Sequence, residues 1–155
     1  DTETVSVMGR KEISGSHGIH VMADSLFEES DFSDAQLLVL PGGMPGTTNL
    51  KDHTGLTELL ERFDREEKYI AAICAAPSIL GSLGMLKGRK ACAYPSFEDT
   101  LDCEEVVCAP VVTDGHITTG RGMGAAIPFA LRLTELLFGE KKADEIAESI
   151  VYKAD

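Results

Sequence analysis

Two hydrophobic patterns alternate along the chain. Residues 37–40 (Leu-Leu-Val-Leu) form an unbroken apolar run that Pro41, Gly42 and Gly43 stop. A run that short does not make a helix. Its continuity predicts a strand buried on both faces of a parallel sheet. Residues 69–74 (Tyr-Ile-Ala-Ala-Ile-Cys) repeat the pattern and lead directly into Ala75-Ala76-Pro77. Between these runs, Leu56, Leu59, Leu60 and Phe63 fall at i, i+3, i+4 and i+7, one apolar stripe of a helix over 56–68. Glu58, Glu61, Arg62, Asp64 and Arg65 fall on its solvent side. Pro77 suits the first turn of a following small-residue helix that reaches Leu83, because its missing N–H costs nothing there.

The flanks are weaker but readable. Residues 3–8 alternate and are rich in Val and Thr, which predicts a strand, and 19–22 predict a short one. Residues 24–34 are acidic and turn-rich, with one helical turn near Leu26-Phe27. Residues 90–93 read as a short strand, and 106–113 and 116–119 as a hairpin around Asp114-Gly115. A mostly apolar helix over 125–138 ends at Gly139, and Ala143, Ile146, Ala147, Ile150 and Val151 give the inward stripe of a last helix. Buried strands alternating with helices over 1–155, without a repeat or linker, predict one three-layer α/β sandwich. Ligands in such sheets bind beyond the carboxyl ends of the strands.

Charge narrows the functional classes. The net charge is −12, from 26 Asp and Glu against 14 Lys and Arg. Such a surface repels phosphate backbones and anionic lipid, so neither nucleic acid nor membrane is expected as a partner. No apolar run approaches the about 18 residues of a membrane span. Cys74, Cys92, Cys103 and Cys108 are too sparse for a disulfide scaffold and lack zinc-ligand spacing. Reduced thiols in a cytoplasmic protein, with no metal, are the simplest reading. The chain opens Asp1-Thr2-Glu3, polar and without methionine, the pattern of a fragment or processed chain rather than a secretory leader.

The sharpest chemical signal is Cys74, at an abrupt change from buried strand to helix. That is the layout of a nucleophile elbow, in which a strained turn lifts the side chain above the sheet. The flanking alanines leave room for a tight turn, and free N–H groups at the helix start favour thiolate over thiol. A small core thiol is the competing reading. Gly42-Gly43 can bring N–H groups near the elbow, and with Ala75 N–H these form an oxyanion site. Equally, the two glycines serve a turn that needs positive φ.

Three segments carry a family resemblance: LVLPGGMPGTTNL (38–50), YIAAICAAPSIL (69–80) and TTGRGMG (118–124). In this order and spacing they resemble the ThiJ/PfpI superfamily, in its DJ-one-like branch, and the similarity runs over 3–151. The resemblance implies a flavodoxin-like three-layer sandwich with a mostly parallel sheet, of the class I glutamine amidotransferase-like type. It implies a homodimer without cofactor, a reactive Cys74, and oxyanion amides at Gly43 and Ala75. Gly42, Met44 and Arg121 are assigned to substrate binding. For Arg121, a pairing with one of the many carboxylates is the even alternative. Gly120, Gly122 and Gly124 do not have dinucleotide-fingerprint spacing.

The chain departs from the family pattern in three places. Tyr94, in Ala93-Tyr94-Pro95, stands where relatives place a histidine, and a phenol is a hydrogen-bond donor but a poor base at neutral pH. Ala76 replaces a glycine common in relatives. The glutamate that partners the cysteine in relatives lies on a first strand–helix unit, and this chain begins at what resembles the second strand. The expectation is therefore that the biological protein carries that unit, with residues like Asp-Gly-Phe-Glu-Glu, ahead of this segment. Glu12, Glu28 and Glu29 are candidates for the acid by composition alone and are solvated by default. His17, His20, His53 and His116 read as surface residues, with His17 and His116 the two considered for an approach to the site. Cys92, Cys103 and Cys108 read as packing thiols.

The resemblance implies a cysteine-dependent stress-response protein acting on small reactive aldehydes, glyoxalase- or deglycase-like. The alternative is a redox sensor or chaperone whose Cys74 is oxidised to sulfinic acid. Amidase or peptidase action ranks lower, because the protease branch has Cys-His at the elbow and here Ala75 follows Cys74.

Overall fold

A computed structural model describes residues 1–153. The chain opens with four short strands: β1 (Val5–Ser6), β2 (Glu12–Ser14), β3 (His20–Met22) and β4 (Ser25–Leu26). β2 and β3 form an antiparallel hairpin, while β1 pairs in parallel with β4, Val5 opposite Ser25. The strand expected over 3–8 is thus confined to its middle. The helical turn expected near Leu26-Phe27 is a 3-10 turn, Phe27–Glu29.

Asp24 ties β1 to β4. Its carboxylate accepts the Thr4 hydroxyl at 2.6 Å and the Thr4 N–H at 2.8 Å. The hydroxyl first, then the N–H, and Lys11 more weakly hold this exposed carboxyl below the usual carboxylate range against a small desolvation cost. A folded-state pKa below the unfolded one gives stability that is complete above the unfolded value and is lost as pH falls through the folded one. The Tm difference between the wild type and Asp24→Ala should be constant above about pH 5 and shrink below about pH 4. Melting curves across acid pH check this.

The main body follows as β5 (Leu37–Leu40), α1 (Gly46–Asp52), α2 (Thr54–Arg65), β6 (Tyr69–Ile73) and α3 (Pro77–Ser82). Then come β7 (Lys90–Ala91), β8 (Glu105–Val106), β9 (Val111–Asp114), β10 (Ile117–Gly120), α4 (Ala126–Phe138) and α5 (Glu140–Ser149). The central sheet runs β5-β6-β10-β9, with β5, β6 and β10 parallel and β9 antiparallel. Leu38 and Leu40 of β5, Ile70 and Ala72 of β6 and Ile117 of β10 face the core built by the α2 stripe (Leu56, Leu59, Leu60, Phe63) and by Ile79 and Leu80 of α3. Ala71, Leu37 and Ile73 face Phe129 and Leu133 of α4 on the other side. This is the flavodoxin-like three-layer arrangement.

Several expectations are corrected by packing. β5 is not buried on both faces: Val39 is 48% exposed. The alternation puts Val39 on the α4 side of an outer strand, where α4 packs on Leu37, Ala71 and Ile73 instead. The first arm of the Asp114-Gly115 hairpin starts at Val111, since Val106 pairs with Ala91. Ile150 and Val151 lie beyond the end of α5 and are exposed, so the inward stripe stops short of them. α1 escapes the hydrophobic pattern because Leu50 is its one large apolar residue.

Candidate functional site

The carboxyl ends of β6 and β10 and the turn after β5 meet at Cys74. β6 stops at Ile73, and Cys74 takes φ +66°. That left-handed conformation costs a residue with a Cβ on the order of 1 kcal/mol, so the surroundings must impose it. They do so from both sides. Cys74 N–H donates to Gly120 C=O at 2.9 Å, and Cys74 C=O accepts Tyr94 N–H at 2.9 Å. Ala75 and Ala76 are buried under the turn, which leaves no space for larger side chains. Pro77 opens α3 as expected.

The four thiols differ sharply. Cys74 is half-buried and unbridged, and among the described residues its sulfur has no hydrogen-bond partner. Cys92 is fully buried, with Sγ 3.3 Å from Thr119 C=O. Burial pushes the Cys92 thiol up, partly offset by the Thr119 hydroxyl, and burial raises Cys103 as well. Cys108 is exposed on an unstrained backbone.

The diglycine turn abuts the elbow. A Cβ on Gly42 would lie 2.6 Å from Cys74 Cβ, 2.6 Å from Ile73 O and 2.9 Å from Ala75 N. Only glycine lets the turn come this close. Gly43 has φ +91°. Among the described residues, neither Gly43 N–H nor Ala75 N–H donates to a protein acceptor. Ala75 adjoins Cys74, and Gly43 follows the glycine that packs on it; unspent amides near a thiol are one requirement of an oxyanion site.

The remaining candidates divide. Tyr94 is held at the elbow through its backbone, and its half-exposed ring lies beside Gly122. Met44, 55% exposed, follows the diglycine turn. Arg121 donates its N–H to Pro110 C=O, and its guanidinium pairs with Glu98 at 3.2 Å, so the carboxylate alternative describes its position. His116 is not at the site. Its carbonyl accepts Ile70 N–H at the start of β6, the opposite end of the sheet, and its ring lies 2.8 Å from Asp64 of α2. His17 sits in the exposed turn between β2 and β3. His20 pairs with Glu12, and His53 caps α2 while contacting Glu28. No carboxylate or imidazole hydrogen-bonds Cys74 among the described residues. Two surface hollows of about 450 and 440 Å³ lie elsewhere, one bounded by Ser33, Asp34 and Glu67, the other by Pro110, Pro128 and Arg132. Thr47 and Glu98 are parts of this neighbourhood that no sequence signal singled out. Each acts through a contact that depends on local folding rather than on residue type.

The DJ-1/PfpI family pattern matches residues 1–136. The chain belongs to the DJ-1/PfpI family. It is similar to Protein DJ-1 homolog A of Arabidopsis thaliana, 38% identical over 99% of this chain and 40% of that protein. The chain thus spans well under half the length of this relative. A protein named as a deglycase from Pyrococcus abyssi is 35% identical, over 86% of this chain and 81% of its own length. Among solved structures, oxidized DJ-1 of Toxoplasma gondii superimposes with a TM-score of 0.93 at 35% identity, covering 98% of this chain and 83% of that one. The DJ-1/PfpI assignment agrees with the flavodoxin-like layering. No helix among the described residues is long and apolar enough to cross a membrane.

Proposed function

We propose that this DJ-1/PfpI chain serves a stress-response role in which Cys74 attacks small reactive carbonyls, in the manner of a glyoxalase or deglycase. The observation that carries the reading is the half-buried Cys74 at φ +66°, followed by the unspent amide of Ala75 and packed against the turn that carries the unspent amide of Gly43. The thiolate adds to the aldehyde carbon of a 2-oxoaldehyde and forms a hemithioacetal, whose oxygen the two amides stabilise. A proton then leaves the former aldehyde carbon and another reaches the neighbouring ketone carbon. The first carbon is oxidised to a thioester and the second reduced to a carbinol. Water releases a 2-hydroxy acid and restores the thiol. The redox change is internal, so the sum is substrate plus water. The proton shift needs an acid/base group other than those bonded to the elbow backbone, and Tyr94 contributes a hydrogen bond rather than a base. The named deglycase relative supports this reading. Assembly as a homodimer belongs to the same proposal.

A second reading has its own support. Cys74 is half-accessible where Cys92 is sealed, and the Toxoplasma relative was solved oxidized. The same thiolate would then report peroxide by forming sulfenic and sulfinic acid. Incubating the purified protein with methylglyoxal and measuring lactate decides between them. Lactate formation is the expected result. Its absence, with peroxide still modifying Cys74 first, would replace turnover by sensing.

A further inference from the structure

The diglycine turn is held unequally. Gly42 is wedged against Cys74, Ile73 and Ala75, whereas a Cβ built on Gly43 would have nothing within 4 Å. Packing therefore does not fix Gly43, although its N–H is one of the two amides that the proposed chemistry needs. A glycine at φ +91° without neighbours is free to rotate unless hydrogen bonds restrain it.

The restraint comes from Thr47. Its backbone N–H donates to Gly43 C=O at 2.8 Å, and its Oγ1 donates to the same oxygen at 2.9 Å. Both lone pairs of that carbonyl are thereby used. Thr47 is 4% exposed, one of few buried polar side chains. Since α1 has no side-chain N-cap, the hydroxyl is the side-chain contact that joins its first turn to the diglycine. With Gly42 wedged and the Gly43 carbonyl doubly bonded, the peptide plane carrying the Gly43 N–H lies between two fixed points.

We infer that Thr47 is a positioning residue, whose hydroxyl holds the Gly43 amide in the direction of the developing oxyanion. The inference rests on the carbonyl-addition reading for its kinetic consequence, but not for its structural one. Removing a whole oxyanion donor costs about 10²–10³ in kcat, so loosening one is expected to cost about tenfold. Because the contact acts on the transition state, KM should stay within about twofold.

The test compares Thr47→Val, which keeps the shape and removes the hydroxyl, with Thr47→Ser, which keeps the hydroxyl. Thr47→Ala serves in place of valine if that variant does not fold. Two readouts are taken: lactate formation from methylglyoxal, and backbone ¹⁵N relaxation at Gly43 and Met44. The expected result is a kcat about tenfold lower for valine or alanine with near wild-type activity for serine. Order parameters at Gly43 should drop from about 0.85 to below about 0.6 in the hydroxyl-free variant alone. Unchanged kcat and unchanged order parameters in that variant overturn the inference, as does a serine variant impaired as much as the valine one. If the wild type forms no lactate, the carbonyl reading fails, and the relaxation data still decide whether Thr47 fixes the turn.

Discussion

Replacing Cys74 by serine should lower lactate formation from methylglyoxal by about 10³-fold or more, while Tm stays within about 2 °C of the wild type. The oxygen is smaller than the sulfur and fits the same elbow, and the clamps from Gly120 and Tyr94 are backbone bonds that remain. What disappears is the nucleophile: a serine hydroxyl is protonated at neutral pH, and no imidazole or carboxylate is bonded to this position among the described residues to activate it. Loss of turnover with an intact fold separates chemistry from architecture. Mass mapping after peroxide treatment extends the test. In the wild type, modification should appear first at Cys74, with Cys92 protected because it is fully buried against Thr119. A serine variant that turns over methylglyoxal at the wild-type rate would remove the thiolate from the mechanism.

Gly42→Ala should be the most damaging single-methyl addition near the site. The new Cβ would fall 2.6 Å from Cys74 Cβ and from Ile73 O, and 2.9 Å from Ala75 N. None of these atoms is the end of a flexible side chain, so the strain cannot be relieved by a rotamer change. Overpacking of this kind costs about 1–3 kcal/mol. For a chain of this size that is a Tm lower by about 2–12 °C. Activity should fall further than stability suggests, by about 10²-fold, because the methyl pushes the diglycine turn away from the thiol it serves. Gly46→Ala is the matched control: it opens α1 just after that turn, has nothing within 4 Å of its added Cβ, and should behave as wild type. Differential scanning calorimetry and the lactate assay on both variants check the pair. Equal behaviour of the two would mean that the close approach of Gly42 to the elbow is not needed.

Much of this architecture was legible before any coordinates. The strand over 37–40, the Leu56-Leu59-Leu60-Phe63 stripe, Pro77 at the head of its helix and Gly139 past the end of α4 all appear where the pattern placed them, while the hairpin turn expected at Asp114-Gly115 falls one residue later, at Gly115-His116, because Asp114 still pairs with Ile117. Each rests on a local rule: side-chain periodicity, φ preference, or a missing N–H. Pattern and structure part where a partner distant in sequence decides the outcome. By pattern Val106 belongs to the hairpin before Gly115, but it pairs with Ala91. His116, weighed for the site, is at the far end of the sheet with Asp64.

The site divides in the same way. Cys74 stood out from the sequence alone, because strand, small residues and proline in succession dictate a tight turn whatever surrounds it. Family membership followed from three short segments and was confirmed by comparison. That Gly42 presses on Cys74, that Thr47 rather than packing secures Gly43, and that Arg121 is engaged by Glu98 were decided by tertiary structure. Local periodicity tells which face a residue presents. Contacts across the fold depend on how separate elements come to rest against each other, and that is set by packing of the whole core.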